Sequence, residues 1–298
     1  MLSDILQYDF LRNTFLTGLL IGIIAPLLGT FIVVRRLSLI ADALSHVTLA
    51  GIAFGLLLEK KLATTIITPL YGGMAFSVLG SIFIEKLRGV YKAYQEIAIP
   101  IILSGGVGLS VIFISLANGF NTELFNYLFG SVSAVSQKDL FTILGISIFV
   151  VLIIFLFYKE LFALSFDEEH ASVAGIHAKR IHLLFIVLTA LVIAASIRIV
   201  GVLLVSALMT LPVAASMRLA RGFKQTMILS IVFGELAVIL GLISGYYFSI
   251  PPGGTIVLIS IIILLASIGM KRFNFTFKGR GISNETSRSD SEFKRKRL

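Results

Sequence analysis

Asp42 and His46 stand four residues apart in an otherwise apolar stretch. On a helix that spacing projects both side chains from one face, with β-carbons about 5–6 Å apart. Ser38 and Ser45 ride the same stripe. A carboxylate and an imidazole on adjacent turns can face a single divalent cation, and mixed oxygen and nitrogen donors suit zinc or manganese. Two ligands are too few to hold a structural ion, yet they suit a cargo that must be released. The same pair would also serve as a hydrogen bond gluing helices together, or as a proton relay. The residues alone leave these three uses open.

Two further ionisable residues interrupt apolar sequence. Glu235, in Phe233–Gly234–Glu235–Leu236, either lines the same pathway or bonds a neighbouring helix, with Arg198 as the candidate partner. Arg198 itself is expected to snorkel to the membrane interface. His170, His177 and His182 are unevenly spaced among polar residues and are expected on a solvated surface. The run Ser104–Gly105–Gly106–Val107–Gly108 has no following lysine and reads as close helix packing, not a phosphate cradle.

The elements that must hold these groups are membrane spans. Of 298 residues, 57% are hydrophobic and only 14% charged, with a mean hydropathy of +1.00. A soluble domain of this length could not cover so much apolar surface. The absence of cysteine excludes a disulfide framework and thiolate metal sites. A hydrocarbon core needs about 20 apolar residues per helix. Candidate spans fall near 14–34, 38–58, 62–84, 97–117, 140–158, 181–197, 200–217, 226–247 and 253–270, so the expected count is eight or nine. Met1–Asn13 carries Asp4, Asp9 and Arg12 and lacks the basic start of a secretory signal, so the first span is expected to be retained.

Lysine and arginine set the expected orientation. Twenty of the 25 lie in one set of loops and the C-terminal tail, and four, Arg12, Lys60, Lys61 and Lys138, lie in the other set. The first side is expected to be cytoplasmic, and a nine-span count then puts the N-terminus outside. Residues 1–270 form the expected transmembrane domain, and 271–298 a basic, disordered cytoplasmic tail that carries most of the net charge of +9. Such a tail beside a last span is a topology signal or lipid contact, so no nucleic-acid partner is expected. Neither a G-x-x-x-x-G-K-[ST] loop nor an H-E-x-x-H helix occurs, so the chain is not expected to be an enzyme by itself.

The stretch Val34–Arg35–Arg36–Leu37–Ser38–Leu39–Ile40–Ala41–Asp42–Ala43–Leu44–Ser45–His46–Val47 resembles the permease subunit of bacterial metal ABC importers, which take up zinc, manganese or iron. Phe166–Asp167–Glu168–Glu169–His170–Ala171 with Ala174–Gly175, Val200–Leu208 with Pro212, and Ser249–Thr255 match the same family in order. The resemblance implies an all-α transmembrane bundle similar to the cobalamin-type importers, in the bacterial cell membrane. It implies partners: two ATP-binding cassette ATPase subunits that bind ATP, an extracellular metal-binding lipoprotein or periplasmic binding protein, and a second permease copy.

It also assigns roles. Asp42 and His46 would line the metal pathway or its outer gate, with no permanently bound cofactor and Zn²⁺ or Mn²⁺ as transported substrate. Residues about 166–176 would form the coupling helix that fits the ATPase, with Asp167, Glu168 and Glu169 at its start, Gly175 at its end and the small Ala171, Ser172 and Ala174 allowing close docking. Leu49–Gly55 and Val132–Ser136 lean toward the zinc branch. Pro212 and nearby glycines would permit helix breaks. The competing class is a proton-coupled secondary transporter or channel, distinguished by flux without an ATPase.

Overall fold

The computed structural model describes residues 7–62, 68–91, 94–117, 119, 121–133 and 135–270. The expectations for the basic tail 271–298, for Asp4 and for Ala134 lie outside the described residues. Twelve α-helices follow one another among the described residues. They are α1 (Asp9–Val34), α2 (Ser38–Leu62), α3 (Pro69–Val90), α4 (Ala98–Leu116), α5 (Thr122–Phe129), α6 (Gln137–Leu156), α7 (Tyr158–Phe166), α8 (Glu168–Val173), α9 (Ala178–Val200), α10 (Val205–Leu219), α11 (Phe223–Phe248) and α12 (Pro252–Met270). A 3-10 turn, Gln95–Ile97, leads into α4.

Eight of these helices are long and apolar enough to cross a membrane: α1, α2, α3, α4 with its leading turn, α6, α9, α11 and α12. The expected span near 200–217 is the 15-residue α10, which reaches only about 22 Å at 1.5 Å per residue, against a hydrocarbon core of about 30 Å. Its shortness has a local cause. The chain does not break at Pro212, which sits inside α10, but at Gly201, whose φ of +84° ends α9. The irregular backbone there finds its hydrogen-bond partners within the protein. Val202 N–H donates to Tyr127 O at 2.9 Å and Ser131 N–H to Arg198 O at 3.2 Å, so the short helix α5 and the residues just after it supply them.

Burial sorts the helices into a centre and a periphery. α1, α2 and α9 bury most of their length, and their apolar residues, among them Phe31, Leu44 and Phe185, form one core. α2 packs on α3 and α4, while α1 packs on α6, α10 and α11, and α9 touches both groups. α12 folds back on α11, where the Thr255 hydroxyl donates to Gly241 O at 2.8 Å. The outward faces of α4, α6, α11 and α12 carry large exposed apolar side chains such as Ile112, Phe155, Leu240 and Ile262, as a surface meeting lipid requires.

Candidate functional site

α2 begins three residues after α1 ends. Arg36 N–H bonds Val33 O at 3.0 Å and Leu37 N–H bonds Ile32 O at 2.9 Å, with Arg36 at φ +58°. This is the Schellman arrangement, here with arginine where glycine is usual. Ser38 is the first residue of α2, so the tight joint sets both the position and the rotation of the helix carrying Asp42 and His46.

Both side chains are half-buried, on a stripe that starts at the exposed Leu39. They stand in the half of α2 nearer the Arg35–Arg36 turn and away from Lys60–Lys61. Among the described residues neither makes a hydrogen bond, to the other or to a third group. That removes the support for a hydrogen bond gluing helices. Among the described residues no third His, Asp or Glu joins them to complete a metal cluster. One chain therefore offers two donors on an accessible strip.

The serines of the stripe divide. Ser45 is buried and its hydroxyl donates to Ala41 O at 2.8 Å, so it is occupied by its own helix. Ser38 stays half-exposed at the helix start. Behind the pair, α4 approaches through Gly106. A β-carbon there would lie 2.9 Å from Val47 N and 3.1 Å from the His46 carbonyl carbon. Gly106 is thus the point at which α4 fixes the backbone bearing His46. Gly106→Ala is expected to push α4 away and lower transport several-fold at unchanged expression. Gly145→Ala, which meets open space on α6, serves as the control and should be silent; equal transport by both variants counts against the positioning role.

Glu235 is not brought to this pair. Its Oε1 is buried without a hydrogen-bond partner, against Gly22 of α1, where a β-carbon would lie 2.8 Å away. Nor does it meet Arg198. The Arg198 guanidinium lies 3.1 Å from Asp139 Oδ2, donates to the Tyr127 hydroxyl at 3.1 Å and sits over that ring at 5.4 Å. Arg198 therefore does not snorkel, because a carboxylate and an aromatic face hold it within the protein. Burial pushes the Tyr127 hydroxyl up to about 12, only partly offset by Arg198, so it stays a neutral acceptor. Asp139 also closes a capping box with Ser136 at the start of α6. Sequence reading missed it, although Ser-x-x-Asp before an apolar run is its signature.

On the basic face the segment 166–176 contains the six-residue α8. The Asp167 carboxylate accepts from His170 N–H at 2.8 Å as its N-cap. Gly175, at φ +87°, ends it, with Ile176 N–H bonded to Ala171 O. The expected outward face needs one correction. Ala171 points inward at 2% exposure, while Val173 stands 88% exposed beside the exposed Ser172, Ala174 and Gly175. Glu168 and Glu169 are also exposed. Of the three histidines, His170 and His177 are exposed, but His182 is buried in α9, its Nε2 3.4 Å from Glu85 Oε2. α9 starts at Ala178, which carries His182 beneath the end of α3.

The bundle, with eight helices long and apolar enough to cross a membrane among the described residues, is that of a multi-span membrane protein. The chain belongs to the ABC 3 transport family, whose model matches residues 7–271. It is 37% identical over 265 residues to the "Probable metal transport system membrane protein" of Treponema pallidum, covering 89% of this chain and 97% of that one. It is 35% identical over 261 residues to the manganese import system permease protein ScaB of Streptococcus gordonii, covering 88% and 91%. Among solved structures, PsaBC from Streptococcus pneumoniae in complex with Fab matches with a TM-score of 0.77 at 33% identity, over 90% of this chain and 95% of that one. The protein is a multi-span permease of a metal ABC importer, and the all-α fold expected from sequence is the fold observed.

Proposed function

We propose that this permease carries Mn²⁺ past Asp42 and His46, with two copies of the chain each supplying one carboxylate and one imidazole. The observation that carries the reading is the half-exposed, unbonded pair with no third donor among the described residues of its own chain. Two such pairs across a twofold axis would make a four-donor site that forms and separates with the gate. An ion entering from the Lys60–Lys61 end would pass most of α2 before meeting them, which makes the pair a deep constriction of the pathway. Geometry does not choose the metal, since affinities of such donors obey the general divalent order. The manganese names of several relatives move the favoured cargo from zinc to manganese. Zinc stays the second reading, favoured by Leu49–Gly55.

ATP hydrolysis belongs, in this reading, to separate cassette subunits that seat α8 through Val173, Ala174 and the carboxylates of Glu168 and Glu169. An extracellular binding protein delivers the ion at the opposite face. The basic loops and tail then lie in the cytoplasm, in keeping with the lysine and arginine bias.

The test is competitive uptake of radiolabelled Mn²⁺ and Zn²⁺ in cells depleted of this chain and complemented with it. ATP-dependent manganese uptake that excess zinc does not abolish is expected. Restored zinc uptake alone would replace the ion and keep the class. Flux without the ATPase would instead favour a secondary transporter.

A further inference from the structure

We propose that a cleft between α7 and the start of α11 holds one anionic phospholipid, its headgroup against Lys224 and Arg221 and an acyl chain along the aromatic wall. The cleft has a volume of about 510 Å³ and is lined by Tyr158, Phe162, Gly222, Phe223, Lys224 and Gln225. Its walls are rings: Tyr158 stacks on Phe162 with centroids 6.1 Å apart, and Phe162 meets Phe223 edge-on at 5.2 Å. No acidic side chain is among these lining residues. Lys224 is exposed on the lining, Arg221 is exposed three residues before it, and Lys159 is exposed next to the lining Tyr158.

Its depth and direction select a lipid. Span α6 ends at Leu156, two residues before Tyr158, and span α11 begins at Phe223. The cleft therefore lies where two spans meet the headgroup layer, the level at which aromatic residues collect in membranes. It opens toward the lipid-facing side. Phe155 is 80% exposed just before Tyr158, and Ile228, one turn beyond Lys224 on α11, is 59% exposed. A second apolar groove of about 420 Å³ lies between α1 and α6, with Phe155 among its lining residues. Arg221 N–H is already taken by the Gln225 side-chain oxygen, so the loop is held with both basic side chains free to turn to a phosphate. The basic rim, the rings beneath it and the exposed apolar side chains of Phe155 and Ile228 match an anionic head, a glycerol region and a chain in that order. The inference is independent of which metal the permease carries.

The chain contains no tryptophan, so Phe162→Trp makes a sole reporter in the cleft. The full-length variant would be placed in phosphatidylcholine vesicles containing increasing brominated phosphatidylglycerol or, in parallel, brominated phosphatidylcholine. Each basic side chain near the surface favours an anionic lipid by about fivefold, so with two of them half-quenching is expected at a phosphatidylglycerol fraction roughly twenty-five-fold lower. Arg221→Gln with Lys224→Gln should bring the two curves together. Tyr158→Trp is the second reporter if Phe162→Trp does not fold. Coincident curves for the unaltered basic pair overturn the site, as does a glutamine variant that keeps its preference. Loss of the phosphatidylglycerol-specific quenching when the ATPase subunit is added also overturns it, assigning the cleft to a protein partner; persistence supports the lipid.

Discussion

Replacing Asp42 or His46 with alanine is expected to lower metal uptake by at least about 100-fold, since even partners that only orient a metal ligand cost 10- to 100-fold when lost. In the proposed pairing each substitution deletes a donor from both copies, leaving two of four. Neither side chain is hydrogen-bonded within the described residues, and both lie half-exposed, so their removal creates no buried orphan and no large cavity. Expression and assembly with the ATPase should therefore match wild type in size-exclusion profiles, while uptake of radiolabelled manganese falls to background. Wild-type uptake by either variant would sink the assignment. A loss of uptake accompanied by loss of assembly would instead make the pair structural.

The second large effect concerns the opposite end of the bundle. Asp139→Ala is expected to destabilise the protein by about 3 kcal/mol, because it takes the carboxylate from a largely covered guanidinium that keeps weaker partners such as the Tyr127 hydroxyl. The Arg198 and Asp139 side chains are only 17% and 9% exposed, so solvent does little to replace the lost carboxylate. The same substitution removes the cap of α6, worth about 1 kcal/mol more. A variant carrying both Asp139→Ala and Arg198→Met should recover much of the pair's share, since removing both charges leaves none unpaired. The apparent Tm of the purified full-length chain in detergent, measured for both single variants and the double, decides this. A double variant no more stable than Asp139→Ala would show that the ion pair is not the cause.

What could be read from the residues divides along sequence distance. The spans were legible because about 20 apolar residues leave few alternatives to a crossing helix. The ends of α8 were legible because Asp167 and Gly175 act on their own neighbours. The spacing of Asp42 and His46 announced a shared face for the same reason. Arg198 was misread because its partners, Tyr127 and Asp139, come from α5 and α6, which only the folded bundle brings to the end of α9. His182 looked like a loop histidine by its basic neighbours, yet α9 starts early enough to bury it beside Glu85. Glu235 left two readings open, a pathway group or a helix-packing one with Arg198 as partner, because its sequence neighbours are apolar either way. Its setting against Gly22 depends on which helix α11 packs upon, and no local pattern encodes that.

The joint between α1 and α2 makes length critical at this point of the chain. Three residues, Arg35, Arg36 and Leu37, reverse the direction of the backbone, and the turn closes through main-chain bonds that need no particular side chain. The side chains serve packing: Arg35 lies over the Phe185 ring at 5.6 Å and Leu37 packs against the core. Adding a single residue between Leu37 and Asp42 rotates the remainder of α2 by one helical step, about 100° around the axis. Either the donors swing off their strip or the contacts of α2 with α3 and α4 are broken. The segment is thus intolerant of insertion, a register mark from which the rotation of the whole donor helix is counted.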